Sequence, residues 1–584
     1  MPRSFQDWVH WIELGAGARW IRRLALYLGV ALLSLTIAYK QFHGPKSEVT
    51  LGQAVVGRQL AEGKGYTTLV NYPQTAAHQT EHGVRWSTGA FPEMHSAPLY
   101  PAAIGAFLKL LPASSRFYIF DTMPAPPDGF FPDYLLLSLN LVLFWIAAAQ
   151  TFALGRTLFD ETAGYIALWA LLLSAGVWEQ VVLVNGTPLI MVVVLALIQT
   201  CVQVERFSNS GVAPIRWLFL AGMLCGAMFL ADYSAGLVVV AVAAYVWIQF
   251  AGERLRATAP LAAGFLVVAA PWCTCMILQT GSPVGFAWQE IALKADGTAA
   301  DPSVVKATLS SATPTLDLVK LGNKGLSRLQ AVVGQSLWSG GGFVFTGFFV
   351  ASFLYAFRDR RVNAVRALFV VVLGVLVLSN AFLDSGEGER LPTVYLTPLI
   401  IIFGVGFCSV LIASSRLADH VRWVVAGVLC FQALPLVKDL VEPRRLHFQY
   451  PPYHPSLFLG MRDEMTRRGG TNPGWMADVP AGAAWYSGQR VWAQPIRLGE
   501  FYAIGAEQPM LALVLTPHTL DQPFFSELAR RTEASDRRLG EWSQVYTSLV
   551  TGRPVPGFPL SMPQKIADNL YVLIDPLAQP LRRK

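Results

Sequence analysis

Residues 393–414 read TVYLTPLIIIFGVGFCSVLIAS, a run without Asp, Glu, Lys, Arg or His. A helix that crosses the hydrocarbon of a bilayer takes about 20 mostly apolar residues, so this stretch is read as a span. Runs of the same kind lie near 21–39, 134–154, 164–180, 186–203, 217–233, 235–250, 259–278, 341–357, 366–381 and 423–438, after which the pattern stops. The expected architecture is an α-helical polytopic membrane protein with about eleven transmembrane helices. Composition agrees: of 584 residues, 53% are hydrophobic and 14% charged, and the mean hydropathy is +0.42. Those values exclude an ordinary soluble enzyme.

The first run is followed by no small-residue cleavage site, and many spans come after it, so it is read as a retained helix instead of a signal peptide. Arginines set the orientation. Arg22 and Arg23, Arg156, Arg216, Arg254 and Arg256, Arg358 to Arg366, and Arg416 with Arg422 occupy every second connection. That is the positive-inside pattern with a cytoplasmic N-terminus. It also accounts for the net charge of +7 without a nucleic-acid-binding face. An odd number of spans then places four segments on the outer, periplasmic side: 40–133, 279–340, 382–392 and a C-terminal domain, 438–584. The remaining divisions are 1–39, the N-terminus with the first span, and 134–437, the core of spans two to eleven. All six cysteines fall inside apolar runs, so no disulfide framework or zinc site is implied.

Within the first outer loop, PLYPAAIGAFLKLLP (98–112) is apolar but too short to span and is closed by proline at both ends. It is read as a helix lying at the membrane surface, with a second over Thr50 to Glu62. The tail alternates helix-like and strand-like pieces. Leu457 to Arg468 reads as helix; AAWYS, MLALVLTP and LYVLIDP read as strands, the last closing a small α/β domain.

Several segments resemble the GT-C superfamily, the polytopic glycosyltransferases of the aminoarabinose-transferase and protein O-mannosyltransferase type. SEVTLGQAVVGRQLAEGKGYT (47–67) resembles the family's acidic residue and the A-R-N-L-A-E-G-x-G-Y segment after the first span. HSAPLYPAAIGAFLKLL (95–111) is similar to R/K-P-P-x-Y-P leading into a surface helix. LGRTLFDETAGYIALWALLLS (154–174) looks like the second connection. LAAGFLVVAAPWCTCMILQTGSPVGF (261–286) keeps Pro271, Trp272, Gly281, Pro283 and Val284 of the seventh span, and GEGERLPTVYLTPLIIIFGVG (386–406) is similar to E-x-R-Y-x-x-P-x-x-P. AGAAWYSGQRVWAQP (481–495) looks like a segment of the outer domains of bacterial members. There are departures: Glu48 stands, slightly offset, where the family has aspartate; Thr-Arg of the fifth span becomes Ala231-Asp232-Tyr233; Arg-Asn after Pro-Trp becomes Cys275-Met276.

The resemblance implies a glycosyltransferase of the inner membrane that moves a hexose or pentose from a polyprenyl-phosphate carrier to a periplasmic lipid, glycan or protein. Such transfer needs a carboxylate to take the acceptor's proton and cations for the phosphate. Glu48 and Glu93 are the two candidate bases, and the choice between them stays open here. Arg390 is the candidate phosphate ligand with Glu389 beside it, and His95, Lys46 and Tyr100 are further donor-binding candidates. Each also has an ordinary reading as a loop or interfacial side chain. Asp232 lies in MFLADYSAGLVV, where a mid-membrane charge costs at least about 2.5 kcal/mol, so it is read as the end of a helix, and Glu179 as an outer turn residue. No metal spacing, P-loop or sugar-nucleotide D-x-D is present and no cofactor is expected; a divalent ion at Glu48 and Glu93 is the one cation the pattern admits. Two other classes compatible with the sequence are a partner-binding protein on the same scaffold and a lipid or solute transporter, though no internal repeat of the transporter kind is seen.

Overall fold

The computed structural model describes residues 16–84, 91–122, 129–208, 213–289, 306–309, 318–336, 338, 343–383, 393–415, 418–441, 455–469, 474–520, 542, 545–546, 548–549, 551–553, 557–567 and 570–575. Its first helix, α1 (Ala16–Gln41), leads into α2 (Glu48–Ala61). Next come strands β1 (Thr67–Thr68) and β2 (Val70–Asn71), α3 (Pro73–Glu81) and β3 (Phe91–Pro92). Two short helices, α4 (Leu99–Lys109) and α5 (Ala113–Asp121), complete the first loop. The helical core is α6 (Phe131–Leu158), α7 (Glu161–Leu172), α8 (Ala175–Val182), α9 (Thr187–Ser208), α10 (Ile215–Ala231), α11 (Val238–Gln249) and α12 (Arg254–Thr280). It continues with α13 (Leu318–Ala331), α14 (Phe343–Ala351), α15 (Arg360–Leu383), α16 (Thr397–Ser414) and α17 (Val421–Val441).

Seven of these helices are long and apolar enough to cross a membrane, and a bent pair makes an eighth. That pair, α7 and α8, replaces the straight third span expected over 164–180: it turns by 57° at the break. At the break Trp178 Nε1 donates to the Leu172 carbonyl at 2.7 Å, and where α8 gives way to α9 the side chains of Tyr100 and Asn140 take up the carbonyls left free. The Tyr100 hydroxyl reaches the Val184 carbonyl at 2.7 Å and Asn140 Oδ1 at 2.9 Å, and Asn140 Nδ2 donates to the Asn185 carbonyl at 3.0 Å. Val184 is the one non-glycine residue with positive φ (56°) among the described residues, a strained conformation for a β-branched side chain. Ile215–Ala231, Ser234–Gln249 and Val344–Leu354, at three other expected spans, are shorter apolar helices.

Helices α10 and α12 cross at very short range. A Cβ on Gly222 would lie 2.0 Å from the Leu261 carbonyl oxygen, and one on Gly264 would lie 2.1 Å from that of Phe219. Small residues at a helix crossing allow this approach. The two helices run parallel, so the contact continues upward through Gly226 and Val268 to bring Tyr233 beside Trp272.

The tail contains α18 (Pro455–Gly469), β4 (Gly474–Ala477), α19 (Pro480–Ser487), β5 (Val491–Ala493), α20 (Leu498–Glu507), β6 (Met510–Leu515), β7 (Met562–Ala567) and β8 (Leu570–Ile574). The six-stranded sheet has the order β2-β5-β4-β6-β8-β7. Strands β2, β5, β4 and β6 are parallel; β8 and β7 are antiparallel. One sequence reading is corrected. AAWYS is helical: Pro480 opens α19, Gly488 closes it in the left-handed conformation, and all its residues are buried. A short apolar run buried on every side carries no periodicity that separates helix from strand. LYVLIDP forms β8, the last strand in chain order among the described residues, as read, and it lies between β6 and β7.

Strand β2 comes from the first loop, yet it pairs with β5 of the tail, Val70 opposite Val491 and Asn71 opposite Trp492. A second tie is Asp133 in the first turn of α6: its carboxylate accepts from Trp485 Nε1 at 2.8 Å and from the Tyr486 hydroxyl at 3.1 Å. All three residues are buried. Asp133→Ala orphans two buried donors at roughly 1–3 kcal/mol each. The expected result is a lowered melting temperature by intrinsic tryptophan fluorescence, with Asp133→Asn, which keeps one acceptor, falling between the variant and the parent.

Candidate functional site

Where the first loop, the upper ends of α10 and α12 and the soluble sheet meet, Glu93 is buried just after β3. Its Oε1 accepts from the amides of His95 at 2.8 Å and Ser96 at 2.9 Å, which folds Glu93–Ser96 into a tight turn. The Ser96 carbonyl accepts from the Tyr66 hydroxyl at 3.0 Å and the Tyr233 hydroxyl at 3.4 Å, and Trp272 Nε1 donates to the Tyr233 oxygen at 2.9 Å. The Tyr66 ring stands edge-on to Trp272 with centroids 4.9 Å apart. Burial, with the charges of Glu93 and Tyr233 adding to it, holds the Tyr66 phenol well above its ordinary range. Tyr66 is therefore a neutral hydrogen-bond donor at physiological pH.

His95 is buried on the same turn, with Nε2 3.3 Å from Thr75 Oγ1 and its ring packed on Tyr72 and Phe286. The loop after α12 closes this side, the Phe286 amide donating to the Met94 carbonyl at 2.9 Å. Gly285 makes the approach possible: it has φ +63°, and a Cβ there would lie 2.3 Å from the Met94 oxygen. Lys306, buried, places its ammonium 5.4 Å from the Tyr72 ring centroid. It is carried by a segment fastened to the soluble domain, where Ile496 N donates to the Ala307 carbonyl and Thr308 Oγ1 donates to Glu500 Oε1.

The other expected site residues lie elsewhere. Glu48, half-buried at the start of α2, accepts from the amides of Ala481 at 2.8 Å and Gly482 at 3.2 Å, at the N-terminus of α19. Tyr100 is committed to the turn between α8 and α9, and Lys46 is half-buried in the turn between α1 and α2. Asp232 ends α10 and its Oδ1 accepts from the Ser234 amide and hydroxyl, as expected for a helix end. Glu179 lies in the short helix α8, exposed, instead of in a turn. Arg390 and Glu389 lie outside the described residues. Among the described residues no group of three or more His, Cys, Asp or Glu has the placement of a metal site.

Tyr66, Tyr233, Trp272 and Lys306 were not named as site residues from the sequence. Tyr66 ends the EGKGY segment and Trp272 follows Pro271 in the seventh-span pattern, so both sat in marked segments. Lys306 had no local signal.

No protein-family model and no curated protein matches this chain. Solved structures do. The archaeal oligosaccharyltransferase AglB from Archaeoglobus fulgidus, in complex with an inhibitory peptide and a dolichol-phosphate, aligns with a TM-score of 0.50 at 11% identity, over 85% of this chain and 70% of that one. ArnT from Cupriavidus metallidurans bound to undecaprenyl phosphate aligns with a TM-score of 0.46 at 13% identity, over 97% of this chain and all of that one. At 11% identity the likeness to the archaeal enzyme is one of fold, and the chain has the polytopic GT-C fold.

Two outcomes follow from this geometry. Gly285→Ala puts a Cβ into the Met94 carbonyl at a left-handed position, so both the melting temperature and any activity should fall; Gly281→Ala, also left-handed (φ +75°) but with no atom near its Cβ, should cost only the backbone strain and leave the turn at Glu93 intact. Burial chiefly raises the Glu500 carboxyl, with the Thr308 hydrogen bond working against it. A raised folded-state value contributes stability at low pH that is lost as pH rises through it. Thermal melts should therefore show the soluble domain losing stability as pH climbs above the usual glutamate range, a decline that Glu500→Gln flattens.

Proposed function

We propose that this chain is an inner-membrane glycosyltransferase that moves a sugar from a polyprenyl-phosphate carrier to an acceptor on the periplasmic side. In this reading the N-terminus is cytoplasmic and the soluble domain periplasmic. The observation that supports it is the Glu93 turn: a buried carboxylate among Tyr66, Tyr233, Trp272 and His95, roofed by the soluble domain at the upper ends of helices that would line a lipid's path. The dolichol-phosphate in the archaeal structure of like fold supports the class of donor.

The chemistry assigned to these residues is a single displacement. Glu93 Oε2 takes the proton from an acceptor hydroxyl or amine as that atom bonds to the anomeric carbon. The bond from that carbon to the phosphate oxygen breaks, and its electron pair leaves with the polyprenyl phosphate. Arg390, assigned from sequence with Glu389 next to it in the chain, and His95 meet the phosphate's charge. Tyr66 and Tyr233 hold the turn through the Ser96 carbonyl, and the Tyr66 oxygen accepts from a sugar hydroxyl. Covering the site from water protects the activated donor from hydrolysis. Glu48 is assigned to docking the soluble domain, because its carboxylate caps α19, and Tyr100 to supporting the turn between α8 and α9.

The test is turnover of radiolabelled polyprenyl-phosphate sugars by the purified protein in lipid nanodiscs, read as release of the carrier. Loss of a general base costs about 10²–10⁴ in rate, so Glu93→Gln should reduce kcat by that factor with little change in melting temperature. Glu48→Gln should lower the melting temperature and keep most of kcat. Unchanged turnover in Glu93→Gln, a larger kcat loss in Glu48→Gln than in Glu93→Gln, or no release by the parent protein with any sugar tried would each overturn the assignment.

A further inference from the structure

At the end of the helices opposite the soluble domain, a cleft of about 570 Å³ opens between α7, α16 and the first half of α17. It exists because α17 stands off the bundle: only Gln432 and Leu436 of that helix are buried, both in its second half. The walls are apolar, with Ile166, Phe345, Val405, Ile412, Val425 and Val428 among them. From Ala413 to Val405 along α16 the cleft runs about 12 Å at 1.5 Å per residue, against about 15 Å for the hydrocarbon of one leaflet. A slot of this polarity and depth matches an acyl chain of one leaflet.

The mouth is different. Asp160, Thr162 and Arg422 line it at the end where α6 turns into α7. Asp160 and Arg422 are both exposed there. Asp160 caps α7 through Oδ1, which accepts from the Ala163 amide at 2.6 Å, so its other oxygen is the one available to a ligand at the mouth. A carboxylate and a guanidinium over an apolar slot of one-leaflet depth complement a lipid that carries both a phosphate and a primary ammonium.

We propose that this cleft is a binding site for one aminophospholipid of the phosphatidylethanolamine type. Its phosphate lies on Arg422, its ammonium on Asp160, and an acyl chain fills the slot between α16 and α17. The bound lipid wedges α17, the helix that leads to the soluble domain, against the bundle. This site is separate from the Glu93 turn and stands whether or not that turn is catalytic.

The probe is a nanodisc of equal parts phosphatidylethanolamine, phosphatidylcholine and phosphatidylglycerol. The protein is transferred to mild detergent and its retained lipid counted by native mass spectrometry. One retained phosphatidylethanolamine per chain is expected. Arg422→Gln, at an exposed position, should reduce retention about ten-fold, the scale of one charge-assisted hydrogen bond. Asp160→Asn keeps the cap and should abolish the preference over phosphatidylcholine. Ala413→Trp, also at an exposed position, fills the slot and should abolish retention. Equal retention of the three lipids, a preference for phosphatidylglycerol, or retention unchanged in Arg422→Gln and Ala413→Trp would overturn the proposal.

Discussion

The structure depends on the grip of the first loop on one short helix of the soluble domain, α19. Glu48 accepts from the amides at its N-terminus, and the Arg58 guanidinium reaches the Trp485 carbonyl at 3.5 Å and packs against Gly488 just past its C-terminus. An anion at the start and a cation at the end match the helix dipole at both poles. Between them, Asp133 holds Trp485 and Tyr486. Arg58 is also stacked 4.1 Å from the Phe120 ring of α5 and paired with Glu62. Burial pulls the Arg58 guanidinium below its ordinary range while Glu62 works to raise it; an arginine remains charged under such a shift.

That grip explains why the two polar parts of the chain form one body. With α19 held, β5 follows it at the correct height for β2 to add to the sheet edge. The chain after β2 runs through α3 to the Glu93 turn, so the position of the buried carboxylate is set by the docking of a domain that begins more than three hundred residues later. From below, the turn is met by Tyr233 and Trp272, whose meeting rests on the glycine crossing of α10 and α12. The site is thus assembled from three independently placed parts, and burying its polar groups is tolerable only because each finds a partner there.

Two helices of the first loop show how much is legible locally. PLYPAAIGAFLKLLP and the Thr50 to Glu62 stretch appear as α4 and α2, because helical periodicity and bounding prolines are properties of adjacent residues. The third span, by contrast, reads as continuous because apolar content is the same on both sides of a bend. At its 57° break Trp178 Nε1 donates to the Leu172 carbonyl, and the turn after α8 is held by Tyr100 and Asn140, which lie forty residues apart and on other helices. AAWYS was misread for a related reason: a segment buried on every face loses the polar positions that distinguish a helical from a strand pattern.

By itself the sequence determined the run of apolar spans, two helices of the first loop, the soluble α/β tail and a set of polar residues gathered near one end of the spans. These follow from the length and spacing of side chains along the chain, which are local quantities. Only the tertiary structure decided what the carboxylates do. Glu48 and Glu93 look alike as loop acids, but the first ends on amides 433 residues away and the second on the amides of its own turn. Asp133 looked like the edge of a span, and its partners lie 352 and 353 residues on. A buried carboxylate takes its role from the donors that satisfy it, and those donors are chosen by packing across the whole chain.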